Sequence, residues 1–191
     1  MEFHNIPPLY DESSKILILG SFPSVKSREG QFFYHHPQNR YWKVMAAVLG
    51  CPVPETIEEK KRMILTNHIA MWDVIASCEI TGSSDSSIKN VIPNDIGRLL
   101  SETSIEKIYT NGGAAHKNYQ KYIKNKIGVE DIQLPSTSPA NAAWSLERLI
   151  ADWKQIAVYA NIFPAYFSNE NSSIMPNTAQ EIISPTPTVN A

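Results

Sequence analysis

The sequence predicts an α/β fold, a three-layer αβα sandwich around a central four-stranded parallel sheet. Strand-like apolar runs alternate with helix-like amphipathic stretches along the chain, and that alternation implies a parallel sheet covered on both faces. The first run, Ile16-Leu17-Ile18-Leu19, is apolar at every position, as a buried strand requires. With 191 residues and 42% hydrophobic content, the chain also has the material for one real core.

In order, residues 1–14 read as a polar lead-in whose Ile6-Pro7-Pro8-Leu9-Tyr10 segment packs across a sheet edge. The first strand, 16–19, runs into a long connection, residues 20–42, that has no periodicity. Connections of that length are usually functional or disordered. Phe22, Phe32, Phe33, Tyr34, Tyr41 and Trp42 argue against disorder, because such aromatics bury roughly 150–250 Å² each. The stretch is therefore expected to form the floor and wall of a binding site. A helix is expected to begin near Pro37, with Tyr41, Val44, Met45, Val48 and Leu49 at helical spacing, and to end at Gly50 and Pro52. Thr56-Ile57-Glu58-Glu59 has the pattern of a capping box and opens a helix to about Thr66; a strand follows from about Ile69 to Val74.

Residues 78–93, with Gly82-Ser83-Ser84-Asp85-Ser86-Ser87 at their centre, read as a loop. Asn94 is expected to cap a short helix carrying Ile96, Leu99 and Leu100, and residues 105–110 to form the third strand. The turn Asn111-Gly112-Gly113 then leads into a helix with Ala115, Tyr119, Tyr122 and Ile123 on one face. Its other face carries Lys117, Lys121, Lys124 and Lys126, which reads as solvated. A fourth strand, 131–134, precedes Pro135-Ser136-Thr137-Ser138-Pro139-Ala140-Asn141. The strongest amphipathic pattern comes last, with Leu146, Leu149, Ile150, Trp153, Ile156 and Ala157. One folded domain is expected over residues 1–165, and a polar, flexible tail rich in Ser, Asn, Thr and Pro over 166–191.

A formal net charge of −2 and a pI near 6.2 exclude the global basic field of a non-specific nucleic-acid binder, so any polyanion contact must be local. Cys51 and Cys78 are too few for a four-thiolate zinc site or an iron–sulfur cluster, and a reducing compartment is the simplest reading. The amino terminus has neither a basic start nor an apolar core, and no window reaches the length of a membrane span. The expectation is a cytoplasmic monomer with no membrane contact and no cofactor.

Ligands of open parallel sheets bind outside the carboxyl ends of the strands, which points to residues 20–37, 76–93, 111–113 and 135–141. Asn39 is expected in the first turn of its helix, where free amides favour an anion or an ordered water. An amide can hold water by its carbonyl oxygen and donate from its nitrogen, a positioning role; the alternative is a local cap. His35 and His36, with Asp73 or Asp85, have the chemistry of metal ligands, but adjacent residues on an extended backbone point to opposite sides. No metal site is expected, and His36 reads as a hydrogen-bonded buttress of the loop. Ser24, Ser136 and Ser138, beside prolines in tight loops, suit phosphate contacts or serve as turn residues. No serine has the Gly-x-Ser-x-Gly setting of an activated nucleophile.

Residues 20–42 resemble the first motif of the uracil-DNA glycosylase superfamily. They are most similar to the mismatch-specific uracil/thymine-DNA glycosylases, which have a Gly-x-Asn-Pro-Gly start and a His-Pro-x-Asn-Arg-Phe-Trp end. The matching residues are Gly20, Pro23, His36, Pro37, Asn39, Arg40, Tyr41 and Trp42. The superfamily's second motif, a short Ser/Pro loop near the carboxyl end, is matched by residues 136–141. Phe22 stands where the mismatch-specific enzymes carry the asparagine that positions the catalytic water, and a phenyl ring cannot do this. The form Gly20-Ser21-Phe22-Pro23-Ser24 instead resembles the hypoxanthine-DNA glycosylase branch, whose catalytic asparagine lies in the His-Pro-x-Asn motif.

That resemblance implies that Asn39 is catalytic and orients the water, and that Gly20, Ser21, Phe22 and Tyr34 form the base pocket. It also implies that Ser24, Ser136, Ser138, Pro139 and Asn141 contact DNA. The implied activity is monofunctional: a deaminated purine, deoxyinosine, is flipped out of double-stranded DNA and its N-glycosidic bond hydrolysed. A uracil or thymine mismatch glycosylase is the nearest alternative. A non-catalytic lesion- or nucleotide-binding module on the same fold is the alternative from another class.

Overall fold

The computed structural model describes residues 1–159, so the expected domain end at 165 and the tail at 166–191 lie outside the described residues. The elements are β1 (Glu2–Phe3), β2 (Ile16–Gly20), α1 (Val25–Glu29), α2 (Tyr41–Leu49), α3 (Ile57–Thr66), β3 (Ile69–Asp73), β4 (Ile75–Glu79), β5 (Lys89–Pro93), α4 (Ile96–Ser101), β6 (Lys107–Asn111), α5 (Gly113–Tyr122), α6 (Lys124–Ile127), β7 (Asp131–Leu134), α7 (Leu146–Trp153) and α8 (Gln155–Tyr159). Strands β3, β2, β6 and β7 lie side by side in that order; the sequence predicts the four strands and their parallel pairing, and the structure supplies the order.

The period of two along β2 divides the core. Ile16 and Ile18 pack with Tyr41, Val44, Met45 and Val48 of α2 and with Trp153 of α7. Leu17 and Leu19 pack on the opposite face with Ile96 and Leu99 of α4 and Tyr119 of α5. All five residues of β2 are buried, so the uninterrupted apolar run is explained by cover on both sides. At the outer edge of β3, Leu9 and Met71 exchange backbone hydrogen bonds of 3.0 and 2.8 Å, and the lead-in closes that edge as expected. The capping box of α3 is present with both of its bonds, and Gly50 ends α2 in the left-handed region at φ 66°.

Five expectations are corrected. Residues 78–93 are no loop: β4 and β5 form an antiparallel hairpin, extended by β1 into a second sheet of order β1-β4-β5. Only its tip is loop-like. Register shifts in β4 and a positive φ of 51° at Asn90 scramble the alternation that would have marked these strands. In the long connection, Ser24 caps the short helix α1 by accepting from the Ser27 amide, which five residues could not reveal by periodicity. Helix α2 begins at Tyr41 rather than near Pro37. Residues 36–39 make a turn, closed by the Asn39 amide on the His36 carbonyl at 2.8 Å, with Pro37 in the second position that suits its fixed φ. Finally, Asp95 caps α4 in place of Asn94, whose amide nitrogen bonds the Asp73 carbonyl at 2.9 Å instead. Where one last helix was expected, α7 and α8 are separated at Lys154.

Among the described residues, no helix is long and apolar enough to cross a membrane. The chain leaves β2 toward β3 and later returns past it to β6, which makes the carboxyl ends of β2 and β6 the point where strand order reverses.

Candidate active site

A cleft of about 330 Å³ opens at that point. Gly20 ends β2, Asp73 ends β3, Asn111 ends β6, and residues 136–140 follow β7; all of them line the cleft, together with the connection after β2. Gly20, Ser21, Phe22, Ser24, Tyr34, Asn39, Ser136, Ser138 and Pro139 are thus brought together. Asn141 stands behind them. Its side chain donates to the Ser136 carbonyl at 2.9 Å and braces the loop instead of lining the cleft.

Backbone donors fix the orientation of Asn39. The Tyr41 amide donates to Asn39 Oδ1 at 2.9 Å, so the oxygen must face the start of α2. The Thr137 amide donates to Asn111 Oδ1 at 3.0 Å, which leaves Asn111 Nδ2 to donate to Thr137 Oγ1 at 2.9 Å. That hydroxyl passes its own hydrogen to Asn39 Oδ1 at 3.0 Å. Both acceptor positions of the Asn39 oxygen are therefore used inside the protein. Its nitrogen remains for the cleft, as a donor. Asn39 lies just before the helix rather than in its first turn, and it caps the Tyr41 amide while presenting that donor.

Arg40, beside it, holds the second loop. Its guanidinium donates to the carbonyls of Ser138 at 2.6 Å and Asn141 at 3.0 Å and also to that of Trp144, while its own amide donates to the Thr137 carbonyl at 3.1 Å. Trp153 of α7 adds a bond to the Pro135 carbonyl at 3.0 Å. The loop tip, Pro139-Ala140, is left exposed above a fixed base.

Tyr34 stacks on Tyr41 with ring centroids 4.1 Å apart and an interplanar angle of 21°. Its φ of 49° is in the left-handed region, a conformation that costs an aromatic residue about 1–3 kcal/mol and concentrates at functional sites. Its hydroxyl is buried without a hydrogen bond of good geometry, although Asn111 lies beside it; burial, then the Asp73 carboxylate, raise its pKa. The Ser24 hydroxyl is engaged in capping α1. The hairpin tip closes the remaining side, with Ser83 Oγ accepting from the Val25 amide at 3.0 Å and Ser21 donating to Asp85 at 2.7 Å. Asp85 is exposed as a residue, but its carboxyl tip sits in the cleft, where burial and the nearby Asp73 carboxylate raise its pKa against the lowering bond from Ser21.

A sequence profile described as the uracil DNA glycosylase superfamily matches residues 7–160. The chain belongs to the uracil DNA glycosylase superfamily. Among its relatives, a hypoxanthine DNA glycosylase of Methanosarcina acetivorans is 32% identical over 151 residues, 78% of this chain and 94% of the relative. A hypoxanthine DNA glycosylase of Methanosarcina barkeri is 29% identical over 157 residues, 81% of this chain and 98% of the relative. A solution NMR structure from Methanosarcina acetivorans, offered as a candidate uracil DNA glycosylase, superposes with a TM-score of 0.67 at 31% identity, over 79% of this chain and 96% of that one.

In this member of the superfamily, the ring that replaces the motif asparagine is committed to packing. Phe22 is buried among the apolar residues beneath the small sheet, with the Arg28 guanidinium 5.4 Å from its ring centre. His36 accepts from the Gln38 amide at 3.2 Å and braces the turn before Asn39. Sequence reasoning assigned no role to His4, Arg40, Asn111 or Thr137, and considered Asp73 and Asp85 only as metal ligands. Arg40 lay inside a recognised motif, and that was its signal. The others become partners only through strand order, which no local pattern encodes.

Proposed function

We propose that this chain is a monofunctional DNA glycosylase that flips hypoxanthine out of double-stranded DNA and hydrolyses its N-glycosidic bond as a cytoplasmic monomer. The observation that carries the reading is the Asn39 side chain, held by Tyr41 and Thr137 so that it meets the cleft as a donor. The names of the two Methanosarcina relatives support the choice of base.

The bond breaks through an oxocarbenium-like state, in which negative charge develops on the departing base. A preorganised donor in a water-poor cleft stabilises such charge, or holds the oxygen of the incoming water, with no reorganisation at the moment of reaction. Asn39 is suited to this and not to taking a proton. Tyr34 walls the pocket with one ring face covered by Tyr41, and stacking on an extruded base offsets part of the few kcal/mol that flipping requires. The loop at 136–141, pinned by Arg40, is the part of the rim shaped to enter the gap left in the duplex, with Ser24, Ser136 and Ser138 beside the strand backbone. Among the described residues, no lysine lines the cleft, in keeping with hydrolysis by water instead of a covalent amine intermediate.

Incubation with a duplex carrying one deoxyinosine, followed by alkaline cleavage, tests the reading. Strand scission at the lesion is expected. Tight lesion binding with no abasic product at excess enzyme would overturn it in favour of a binding module, and scission at uracil alone would reassign the base.

A further inference from the structure

The floor of the cleft holds a pair that the mechanism above leaves unused. Asp73, at the end of β3, and His4, in the amino-terminal segment, are bonded Nε2 to Oδ2 at 2.7 Å with side chains only 6% and 2% exposed. The Ile6 amide donates to His4 Nδ1 at 3.3 Å, so that nitrogen carries the lone pair and Nε2 carries the hydrogen given to Asp73. The imidazole cannot easily turn, because Phe22, Phe33 and Trp72 surround it with centroids 6.2, 6.4 and 6.4 Å away.

The second carboxylate oxygen, Oδ1, accepts no hydrogen bond among the described residues. It lies over Gly20, 2.1 Å from where a Cβ would stand, so only glycine at the end of β2 leaves room for it. Asp73 and Gly20 line the cleft, and His4 backs Asp73 from behind. A nine-tenths-buried side chain thus points an unpartnered acceptor into the place where a base would lie.

We propose that Asp73 is a specificity-determining residue, its Oδ1 accepting the ring N–H that deamination creates, and that His4 is the positioning residue that keeps this oxygen turned to the cleft. This rests on the glycosylase reading and deepens it. Deamination of adenine turns N1 from an acceptor into an N–H donor, and deamination of cytosine does the same at N3. A carboxylate only accepts, so it bonds the deaminated edge and meets the parent base lone pair to lone pair. Sites built around one hydrogen bond reject a substrate lacking the matching group by large factors, because the buried group is then left unpaired. Guanine shares this edge, and its 2-amino group, not Asp73, must exclude it.

The test compares single-turnover release of hypoxanthine and of unsubstituted purine, whose N1 accepts. In Asp73→Asn, His4 still demands an acceptor, so the amide oxygen takes the His4 side and the amide nitrogen turns to the cleft. The wild-type preference for hypoxanthine over purine is expected to fall about 100-fold or more. Adding His4→Phe to Asp73→Asn frees the amide to turn its oxygen back, and part of the preference returns; a merely structural role for His4 predicts no such rescue. Wild-type protein alone supplies a further reading that needs no variant to fold, since N1-methylhypoxanthine should be released at least about 100-fold more slowly than hypoxanthine. An unchanged preference in a folded Asp73→Asn protein, or equal release of the methylated base, overturns the inference. Wild-type protein that releases neither hypoxanthine nor uracil defeats the glycosylase reading itself, a separate outcome.

Discussion

At the level of single side chains, the cleft is oriented by backbone donors that admit no alternative arrangement. Two amides, of Tyr41 and Thr137, decide which way Asn39 and Asn111 point, and the chain of bonds between them ends in one donor aimed at the cleft. Asn39→Asp keeps both acceptor contacts, replaces that donor with an acceptor and adds a negative charge beside Asp73 and Asp85. It is expected to fold, to bind DNA more weakly and to excise about 100-fold or more slowly in single turnover at saturating enzyme. Unchanged excision would remove Asn39 from the chemistry. Arg40 works by geometry, spanning several carbonyls with a planar fork that lysine lacks. Arg40→Lys should raise amide exchange across residues 136–144 by about tenfold or more, the equivalent of one lost bond from a charged donor. Asp85 gives the pH test. Its pKa is raised by burial first, so the folded state binds a proton that the unfolded state has already released, and stability falls as pH rises through that window. Asp85→Asn, which cannot ionise, should therefore melt higher than wild type at neutral pH, and the difference should vanish below the ordinary aspartate pKa.

Among the elements, those with a local chemical signature were legible. The capping box of α3 spans four residues and needs nothing from elsewhere in the fold, so Thr56-Ile57-Glu58-Glu59 located it correctly. Thr56→Ala should cost about 1 kcal/mol. In a thermal melt that is a fall of about 2–4 °C for a protein of this size. The β4–β5 hairpin was not legible, because its strands are short, irregular in register and half-covered, and its polar tip dominates the composition. That omission mattered for function. The tip brings Ser83 and Asp85 back over the end of β2, forming one wall of the cleft. The start of α2 was misread for a related reason. Pro37 satisfies a helix's first turn and a β-turn equally well, and the side chain of Asn39, through the Tyr41 amide, decides between them.

For the molecule as a whole, the strand order places every functional loop at one end of the sheet. We propose that the folded unit ends by residue 165, so a chain of residues 1–165 should melt and excise deoxyinosine as the 191-residue chain does; loss of excision on removing 166–191 would show that the polar segment belongs to the active protein. Taken alone, the sequence determined the fold class, the four central strands, the family resemblance and part of the cleft lining, from Gly20 to Ser24 with Tyr34, Asn39, Ser136, Ser138 and Pro139, because apolar runs, caps and motifs are local and survive without knowledge of neighbours. The tertiary structure alone decided which atom of Asn39 is left for the cleft, what Arg40 holds, and that His4 and Asp73, 69 positions apart, form one unit beneath the cleft. Those are pairings across strands and layers. Their partners are chosen by topology and burial, and a hydrogen bond between distant residues leaves no periodic trace in either segment.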